Sequence, residues 1–216
     1  GSNPAPSTLG YLEGKDVVDL LDYIELNYPG INVSKSGVFG HSMGGLYAMS
    51  AYIEESLGKG RFKALVEGSG PLNITREAYF LTNNPLIVGN NSMTNYLEEK
   101  NPVNLVNQTF PRNMMIWHGT EDGTVDYQCA IDFIKVIDPD KLSNTSAGRK
   151  DVEFVPLEGT PHSLPDTFEK GATAFFDEYL LDKQTNSSEV ELLKNPTDFN
   201  SSKTGYDHLF KAVISF

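Results

Sequence analysis

The feature that most constrains this chain is a serine between two glycines at the end of a short apolar run. Residues 37–45 read Gly-Val-Phe-Gly-His-Ser-Met-Gly-Gly, and residues 46–56 continue with a helical pattern. A Gly-x-Ser-x-Gly turn between a strand and a helix predicts a nucleophile elbow, in which a strained backbone lifts the serine hydroxyl out of the sheet. The flanking glycines are expected because a Cβ there would clash with a neighbouring element. Ser42 is therefore the candidate nucleophile, and the backbone N–H of Met43 is the candidate oxyanion donor.

A candidate acid follows a later apolar run. Residues 114–117, Met-Met-Ile-Trp, are bounded by polar residues, which predicts a buried strand. Asp122 lies in the loop just beyond this strand, at the carboxyl end where sites on parallel sheets are built. Glu121 and Asp126 lie close to it in sequence and are the alternative carboxylates.

A candidate base lies beyond the following strand. Residues 152–157 alternate as a strand does, and the loop after them ends in His162. A neutral imidazole can accept the proton of a serine hydroxyl near neutral pH. Of the other histidines, His41 is expected to be structural, His118 to be packed or hydrogen-bonded, and His208 to lie in a polar tail. His41 directly precedes the nucleophile and His118 ends a strand, so the base is expected to be His162 in the loop after residues 152–157.

The order Ser42, Asp122, His162 along the chain is the order that α/β-hydrolases use. The chain resembles the C-terminal two-thirds of an α/β-hydrolase, from the helix before the nucleophile strand to the helix after the histidine. Residues 118–125 also fit the superfamily pattern His-Gly-x-x-Asp-x-x-Val, which favours Asp122 over its neighbours. The resemblance implies an α/β fold with a mostly parallel sheet flanked by helices, and a Ser-Asp-His triad.

The resemblance also implies a serine hydrolase, and carboxylic esters are the expected substrates, cleaved through an acyl-enzyme. A serine peptidase is the first alternative, because Asn-Pro-Val-Asn at 101–104, the strand after it and the pattern at 118–125 are similar to the prolyl oligopeptidase family. Peptidases of that family often carry an aromatic residue after the serine, where this chain has Met43. A second alternative is a non-catalytic, hydrolase-like binding module or an incomplete fragment.

The chain departs from the superfamily before the elbow. The usual fold places several strands there, whereas here only a loop and a helical pattern precede Ser42. Those first strands pair with the nucleophile strand, and they carry the loop that donates the second oxyanion N–H. We therefore expect an open sheet edge at residues 37–40 that takes a partner segment or drives self-association. Residues 210–216 are a segment of this chain that could cover that edge.

The chain is expected to divide into a catalytic domain at residues 1–182 and a polar C-terminal extension at residues 183–216. Residues 72–112 form a long excursion rich in Asn and aromatic residues, and such excursions are usually functional. In α/β-hydrolases this insertion point commonly carries a cap over the acyl pocket. The candidate pocket residues are Tyr79, Phe80, Leu81, Leu86, Ile87 and Val88. Ordinary packing of the excursion onto the sheet is the alternative.

Composition limits the partners of this chain. The net charge of −12 argues against nucleic acid and anionic membranes, and no apolar stretch has the length of a membrane span. The single cysteine, Cys129, excludes an internal disulfide, and no Cys/His cluster has metal-site spacing. We expect a soluble protein without cofactor or metal that acts on a small-molecule ester. Seven Asn-x-Ser/Thr sequons hint at secretion but leave the compartment open.

Overall fold

The computed structural model describes residues 11–82, 91–110, 113–143, 148, 150–181 and 210–214. Within these residues, five strands form one sheet in the order β4-β3-β2-β1-β5. Their bounds are Ser36–His41 for β1, Phe62–Gly68 for β2, Met114–Gly119 for β3, Val152–Leu157 for β4 and Phe210–Ile214 for β5. Strands β1 to β4 run parallel, so their carboxyl ends meet at one edge. The predicted α/β fold with a mostly parallel sheet is confirmed.

Helices connect the parallel strands and cover both faces of the sheet. Their bounds are Tyr11–Asn27 for α1, Met43–Leu57 for α2, Ile74–Thr82 for α3, Asn91–Lys100 for α4, Pro102–Leu105 for α5, Gln128–Ile137 for α6 and Thr167–Leu180 for α7. Helix α1 ends just before Pro29 and Gly30, as expected from the helix-ending character of that pair. In the part of the chain described above, no helix combines the length and the apolar composition that a bilayer crossing requires.

The core lies in two layers, one on each face of the sheet. Val38 and Phe39 are neighbours in β1 and point to opposite faces. Val38 belongs to the first layer, a buried cluster that also contains Leu21 of α1, Met49 of α2 and Phe133 of α6. Phe39 packs in the second layer, which α7 covers with a row of aromatic side chains. Strands β1, β2 and β3 are almost entirely buried, which explains why they read as nearly continuous apolar runs, whereas β4 is only partly buried and alternates.

The edge of β1 that was expected to be open is occupied by β5. Strand β5 pairs antiparallel with β1, with Val38 opposite Ala212. This pairing satisfies backbone N–H and C=O groups of β1 that would otherwise face solvent or another chain. The predicted C-terminal extension therefore contributes a strand to the sheet, while residues 182–209, 215 and 216 lie outside the described residues.

The excursion after β2 supplies α3, α4 and α5. Ile74 of α3 and Leu97 of α4 pack on Leu46 of α2, with Met43 and Ala78 against this small cluster. The excursion thus sits beside the first turns of α2, which follow Ser42. Residues 83–90 and 111–112, including the predicted pocket residues 86–88, lie outside the described residues. A cap over an acyl pocket stays a prediction.

Candidate active site

Ser42 lies in a tight turn between β1 and α2. Its backbone has φ 58° and ψ −130°, and a positive φ is strained for a residue with a Cβ. The Ser42 N–H donates to the carbonyl of Gly68 at 2.8 Å, and the Ser42 carbonyl accepts from the N–H of Gly45 at 2.9 Å. These bonds tie the turn to the end of β2 and to the first turn of α2, so the surrounding structure holds the strained conformation.

Gly40 allows the chain to make this turn. A Cβ at Gly40 would lie 2.0 Å from the carbonyl oxygen of Gly44. The atoms that such a Cβ would meet are backbone atoms of Gly44 and Gly45, which cannot move aside as the end of a side chain can. The expected need for glycine at position 40 is therefore met by a close approach of β1 to the first turn of α2.

His162 and Asp122 approach Ser42 from the loops after β4 and β3. Nε2 of His162 lies 2.8 Å from Oγ of Ser42, and Nδ1 of His162 lies 2.7 Å from Oδ2 of Asp122. With Asp122 ionised, the Nδ1–H donates to its carboxylate, and Nε2 is left to accept from the Ser42 hydroxyl. The structure thus brings the three predicted side chains into one hydrogen-bonded series at the carboxyl edge of the sheet.

Asp122 is a buried carboxylate with several donors around it. Its Oδ1 accepts from the N–H groups of Thr124 and Val125, both at 2.9 Å, and Nε2 of His118 lies 3.4 Å from its Oδ2. Burial by itself raises the pKa of Asp122, but the hydrogen bonds from His118, His162 and the two backbone N–H groups lower it further than burial raises it. The pKa therefore lies well below the ordinary aspartate value, and the group stays ionised at neutral pH.

The alternative carboxylates have other surroundings. Asp126 accepts from the N–H of Gln128 at 3.0 Å through Oδ1, and its Oδ2 lies 3.5 Å from a guanidinium nitrogen of Arg76. Glu121 is exposed. The carboxylate that the structure brings to the His162 ring is that of Asp122.

Two further histidines contact this series. His118 is fully buried, and its Nε2 lies 3.2 Å from the carbonyl oxygen of Val125, which agrees with its expected packed and hydrogen-bonded state. Its approach to Asp122 was not foreseen, although the two residues are four apart in the same sequence pattern. The His41 ring stacks on the His162 ring, with centroids 5.1 Å and planes 28° apart, a contact that no sequence signal announced. The fourth histidine, His208, lies outside the described residues.

Met43 begins α2 directly after the serine. The first N–H groups of a helix have no acceptor within the helix, and the helix dipole adds partial positive charge at this end. The Met43 N–H is therefore a donor that the helix itself leaves available beside Ser42. The loop expected to donate the second N–H would come before residue 11, and residues 1–10 are outside the described residues.

A cavity of about 530 Å³ lies between α3, α4 and α5. It is lined mainly by residues whose side chains carry a polar group, namely Asn73, Thr75, Arg76, Tyr79, Glu98, Asn101 and Asn104, together with Val103. Of the predicted acyl-pocket residues within the described ranges, Tyr79 lines this cavity, while Phe80 and Leu81 are 40% and 66% exposed. Within the described residues, Tyr79, Phe80 and Leu81 therefore do not enclose an apolar pocket.

A mostly parallel sheet in which Ser42, Asp122 and His162 follow β1, β3 and β4 in that order defines an α/β-hydrolase. The sequence identifies one family within this class. The model of the prolyl oligopeptidase family matches residues 7–183, and the chain belongs to that family. The chain has no significant match among curated proteins.

Solved structures with the same fold include peptidases and esterases. A candidate dipeptidyl aminopeptidase IV from Bacteroides ovatus is 22% identical with a TM-score of 0.59, over 80% of this chain and 23% of that one. Acetyl xylan esterase 1 from Thermoanaerobacterium is 15% identical with a TM-score of 0.58, over 82% of this chain and 59% of that one. The acylaminoacyl peptidase of Pyrococcus horikoshii is 18% identical with a TM-score of 0.57, over 84% of this chain and 30% of that one. This chain therefore spans less than two-thirds of each of these proteins.

Proposed function

We propose that this chain is a serine hydrolase that works through an acyl-enzyme, with Ser42 as nucleophile, His162 as base and Asp122 as the acid that orients the base. The observation that carries the proposal is the unbroken series of hydrogen bonds from Ser42 Oγ to His162 Nε2 (2.8 Å) and from His162 Nδ1 to Asp122 (2.7 Å). Membership of the prolyl oligopeptidase family supports the same reaction class. Residues 1–182 would form the catalytic domain, with residues 183–216 as an extension.

In the acylation step, Ser42 Oγ attacks the substrate carbonyl carbon while His162 Nε2 takes its proton. The imidazolium that forms is stabilised by the ionised Asp122, which also keeps the Nδ1–H pointing at its own carboxylate. His162 then gives the proton to the leaving oxygen or nitrogen as the bond to the carbonyl carbon breaks. Water repeats the cycle on the acyl-enzyme and frees Ser42.

The negative oxygen of the tetrahedral intermediate needs donors beside Ser42. The Met43 N–H is the proposed first donor, because it opens α2 next to the nucleophile. Loss of one oxyanion donor typically costs about 100 to 1000-fold in rate. The second donor is proposed to come from the segment before α1, so a chain lacking that donor would be slow.

The proposed substrates are carboxylic esters of small molecules. Met43 follows the serine, where peptidases of the family often carry an aromatic residue, and this favours an ester. Peptides are the second candidate, and the observation that favours them is the match to the prolyl oligopeptidase family over residues 7–183. Residues 72–112 are the proposed cap that would select between acyl groups.

A fluorophosphonate probe tests the reaction class. Only an activated serine reacts quickly with it, so we expect one adduct per chain, on Ser42, and none in Ser42→Ala. Failure of the folded wild-type chain to react would favour a non-catalytic binding module. For a reactive chain, p-nitrophenyl esters assayed beside proline-containing peptide anilides separate the two substrate classes. Faster turnover of the peptides would overturn the ester proposal while leaving the serine hydrolase proposal in place.

A further inference from the structure

A second carboxyl group, that of Glu67, lies buried beneath the turn that carries Ser42. Glu67 is the penultimate residue of β2, and it is fully buried. Its Oε1 accepts the N–H of Gly70 at 2.5 Å. Its Oε2 is also buried and has no hydrogen-bond partner within the described residues. A buried carboxyl with one donor and no cation demands an explanation, because an unpaired charge there would be costly.

The carboxyl group fills the space between α2 and the loop after β2. A Cβ at Gly45, in the first turn of α2, would lie 2.5 Å from Oε1 of Glu67. A Cβ at Gly70 would lie 2.4 Å from the same oxygen and 3.1 Å from the Ser42 carbonyl oxygen. Glu67 is therefore packed between two glycines, one on each side of the Ser42 turn.

The same strand end also holds Ser42 directly. The Ser42 N–H donates to the carbonyl of Gly68, the residue after Glu67, at 2.8 Å. The Gly68 carbonyl shares a peptide group with Ser69, where the following loop begins. A shift of that loop would consequently move the carbonyl that accepts the Ser42 N–H. Because a displacement of about 1 Å at a catalytic group can cost about 100-fold in rate, the rigidity of this contact matters for reactivity.

We propose that Glu67 is a positioning residue that joins the Gly70 loop to the first turn of α2 and thereby holds Ser42 in its reactive orientation. The inference rests on the proposed function, since it concerns the reactivity of the same serine. Glu67 acts through the backbone around Ser42.

The electrostatic surroundings of Glu67 agree with a neutral group. Burial raises its pKa to about 8, against the smaller lowering by the Gly70 N–H. Titratable side chains on the elements that pack against β2 include Tyr47 on α2, His41 on β1 and His118 on β3. Charges on these side chains do not contribute to the shift, which has burial and the Gly70 N–H as its causes.

Ionisation of Glu67 should therefore loosen the turn at alkaline pH. Below its ordinary pKa of 4.5, both the folded and the unfolded chain hold the proton. Between pH 4.5 and about 8 only the folded chain holds it, so the stability that this group contributes falls as the pH rises. Above about pH 8 the folded protein itself carries a buried carboxylate in the contact with Gly45 and Gly70.

The test compares the full wild-type chain with Glu67→Gln, Glu67→Leu and Glu54→Gln. The amide of Glu67→Gln keeps an oxygen for the Gly70 N–H but cannot ionise, whereas Glu67→Leu loses that acceptor. Glu54 is exposed on the same helix as Gly45, so Glu54→Gln controls for the loss of one charge. The second-order rate of fluorophosphonate labelling of Ser42 is measured from pH 6 to 9.5, and urea unfolding is measured at the same pH values.

The expected result is a labelling rate that falls above about pH 8 in the wild type and in Glu54→Gln, but not in Glu67→Gln. Glu67→Leu should label about tenfold more slowly at every pH, a loss that Glu67→Gln escapes. The alkaline fall persisting in Glu67→Gln, or full reactivity of folded Glu67→Leu, would overturn the positioning role. If Glu67→Leu does not fold, the alkaline profiles of the wild type and Glu67→Gln decide alone.

Failure of the proposed function would look different. A folded wild type that does not label at any pH removes the serine hydrolase proposal and the positioning role with it. The unfolding data still decide the protonation state in that case. A neutral Glu67 predicts that stability falls between pH 5 and 8 more steeply in the wild type than in Glu67→Gln, and equal slopes would contradict it.

Discussion

The loop after β3 and the end of β2 each bury a carboxyl group beside Ser42, and the two groups differ in charge. Asp122 is surrounded by two backbone N–H groups and two imidazoles, and its pKa is lowered. Among the described residues, Glu67 has the Gly70 N–H as its one hydrogen-bond donor, and its pKa is raised to about 8. Burial raises the pKa in both places, so the number of donors decides which carboxyl ionises.

This difference matches the two roles proposed for these groups. A carboxylate that must stabilise an imidazolium has to be charged at neutral pH. A carboxyl that only joins two backbone segments is better neutral when it is buried and no cation among the described residues pairs with it. One protein thus buries an ionised and a neutral carboxyl group at the carboxyl ends of two neighbouring strands, Glu67 within β2 and Asp122 in the loop after β3.

The largest effect is expected from neutralising Asp122. Asp122→Asn removes the charge that stabilises the imidazolium and favours the wrong His162 tautomer, so kcat should fall by about 10⁴-fold, the size given for the equivalent change in trypsin. Asp126→Asn is the matched control, since Asp126 bonds to Gln128 and Arg76 instead. Ester hydrolysis measured on both variants separates them. A larger loss in Asp126→Asn than in Asp122→Asn would show that the acid is Asp126 and that the assignment to Asp122 is wrong.

A smaller effect is expected from His118, the second imidazole on Asp122. His118→Leu removes the donor 3.4 Å from Oδ2, and loss of a hydrogen bond to a charged group should lower kcat/KM by about tenfold. His118→Gln can place an amide nitrogen near the position of Nε2 and should keep more of the activity. Equal losses in the two variants would show that His118 serves packing alone.

The acid side of the stability curve should carry the signature of Asp122. Its pKa is lowered from the ordinary value of 3.8, so the stability that it contributes is present above that value and is lost as the pH falls below it. In urea unfolding below pH 4, the wild type should lose stability more steeply than Asp122→Asn, by up to about 1.4 kcal/mol per pH unit. Parallel slopes would mean that Asp122 is not held ionised in the folded state.

The smallest effect is expected at Glu77, which supports the acid loop from α3. Its Oε2 accepts the N–H of Asp126 at 3.0 Å, and burial raises its pKa. Glu77→Gln keeps an acceptor oxygen and should change kcat/KM by less than about threefold, while Glu77→Ala leaves the partly buried Asp126 N–H without this acceptor and should lower the free energy of unfolding by about 1 kcal/mol. A Glu77→Gln variant as damaged as Asp122→Asn would place Glu77 in the chemistry itself.

Much of the fold was predictable because its signals are local. Three of the four parallel strands read as short apolar runs and β4 reads as an alternating pattern, and the turn at Ser42 is specified by residues within one strand and one helix. The three side chains of the proposed triad could be named from their positions just after strands, since parallel strands bring their carboxyl ends to one edge. The distances from Ser42 to His162 and from His162 to Asp122 depend on the tertiary structure, and the sequence pattern does not give them.

What could not be predicted depends on contacts between distant segments. Glu67 follows the apolar residues 64–66, a position that gives no sign of burial, and its packing against Gly45 and Gly70 is visible only in the structure. The stacking of His41 on His162 joins residues 121 positions apart, and no periodicity reports it. The sequence offered residues 210–216 as one segment that could cover the edge of β1, against a partner segment or self-association, and the antiparallel pairing of β5 with β1 shows that this segment takes the edge.

The most direct measurement is acyl-enzyme formation on Ser42. The full chain is mixed rapidly with p-nitrophenyl acetate, quenched and analysed by mass spectrometry of its peptides. We expect a burst of p-nitrophenol of about one equivalent per chain, with the acetyl group on the peptide that contains Ser42, and neither in Ser42→Ala. An acetyl group on another residue, or an undiminished burst in Ser42→Ala, would contradict the assignment of Ser42 as the nucleophile.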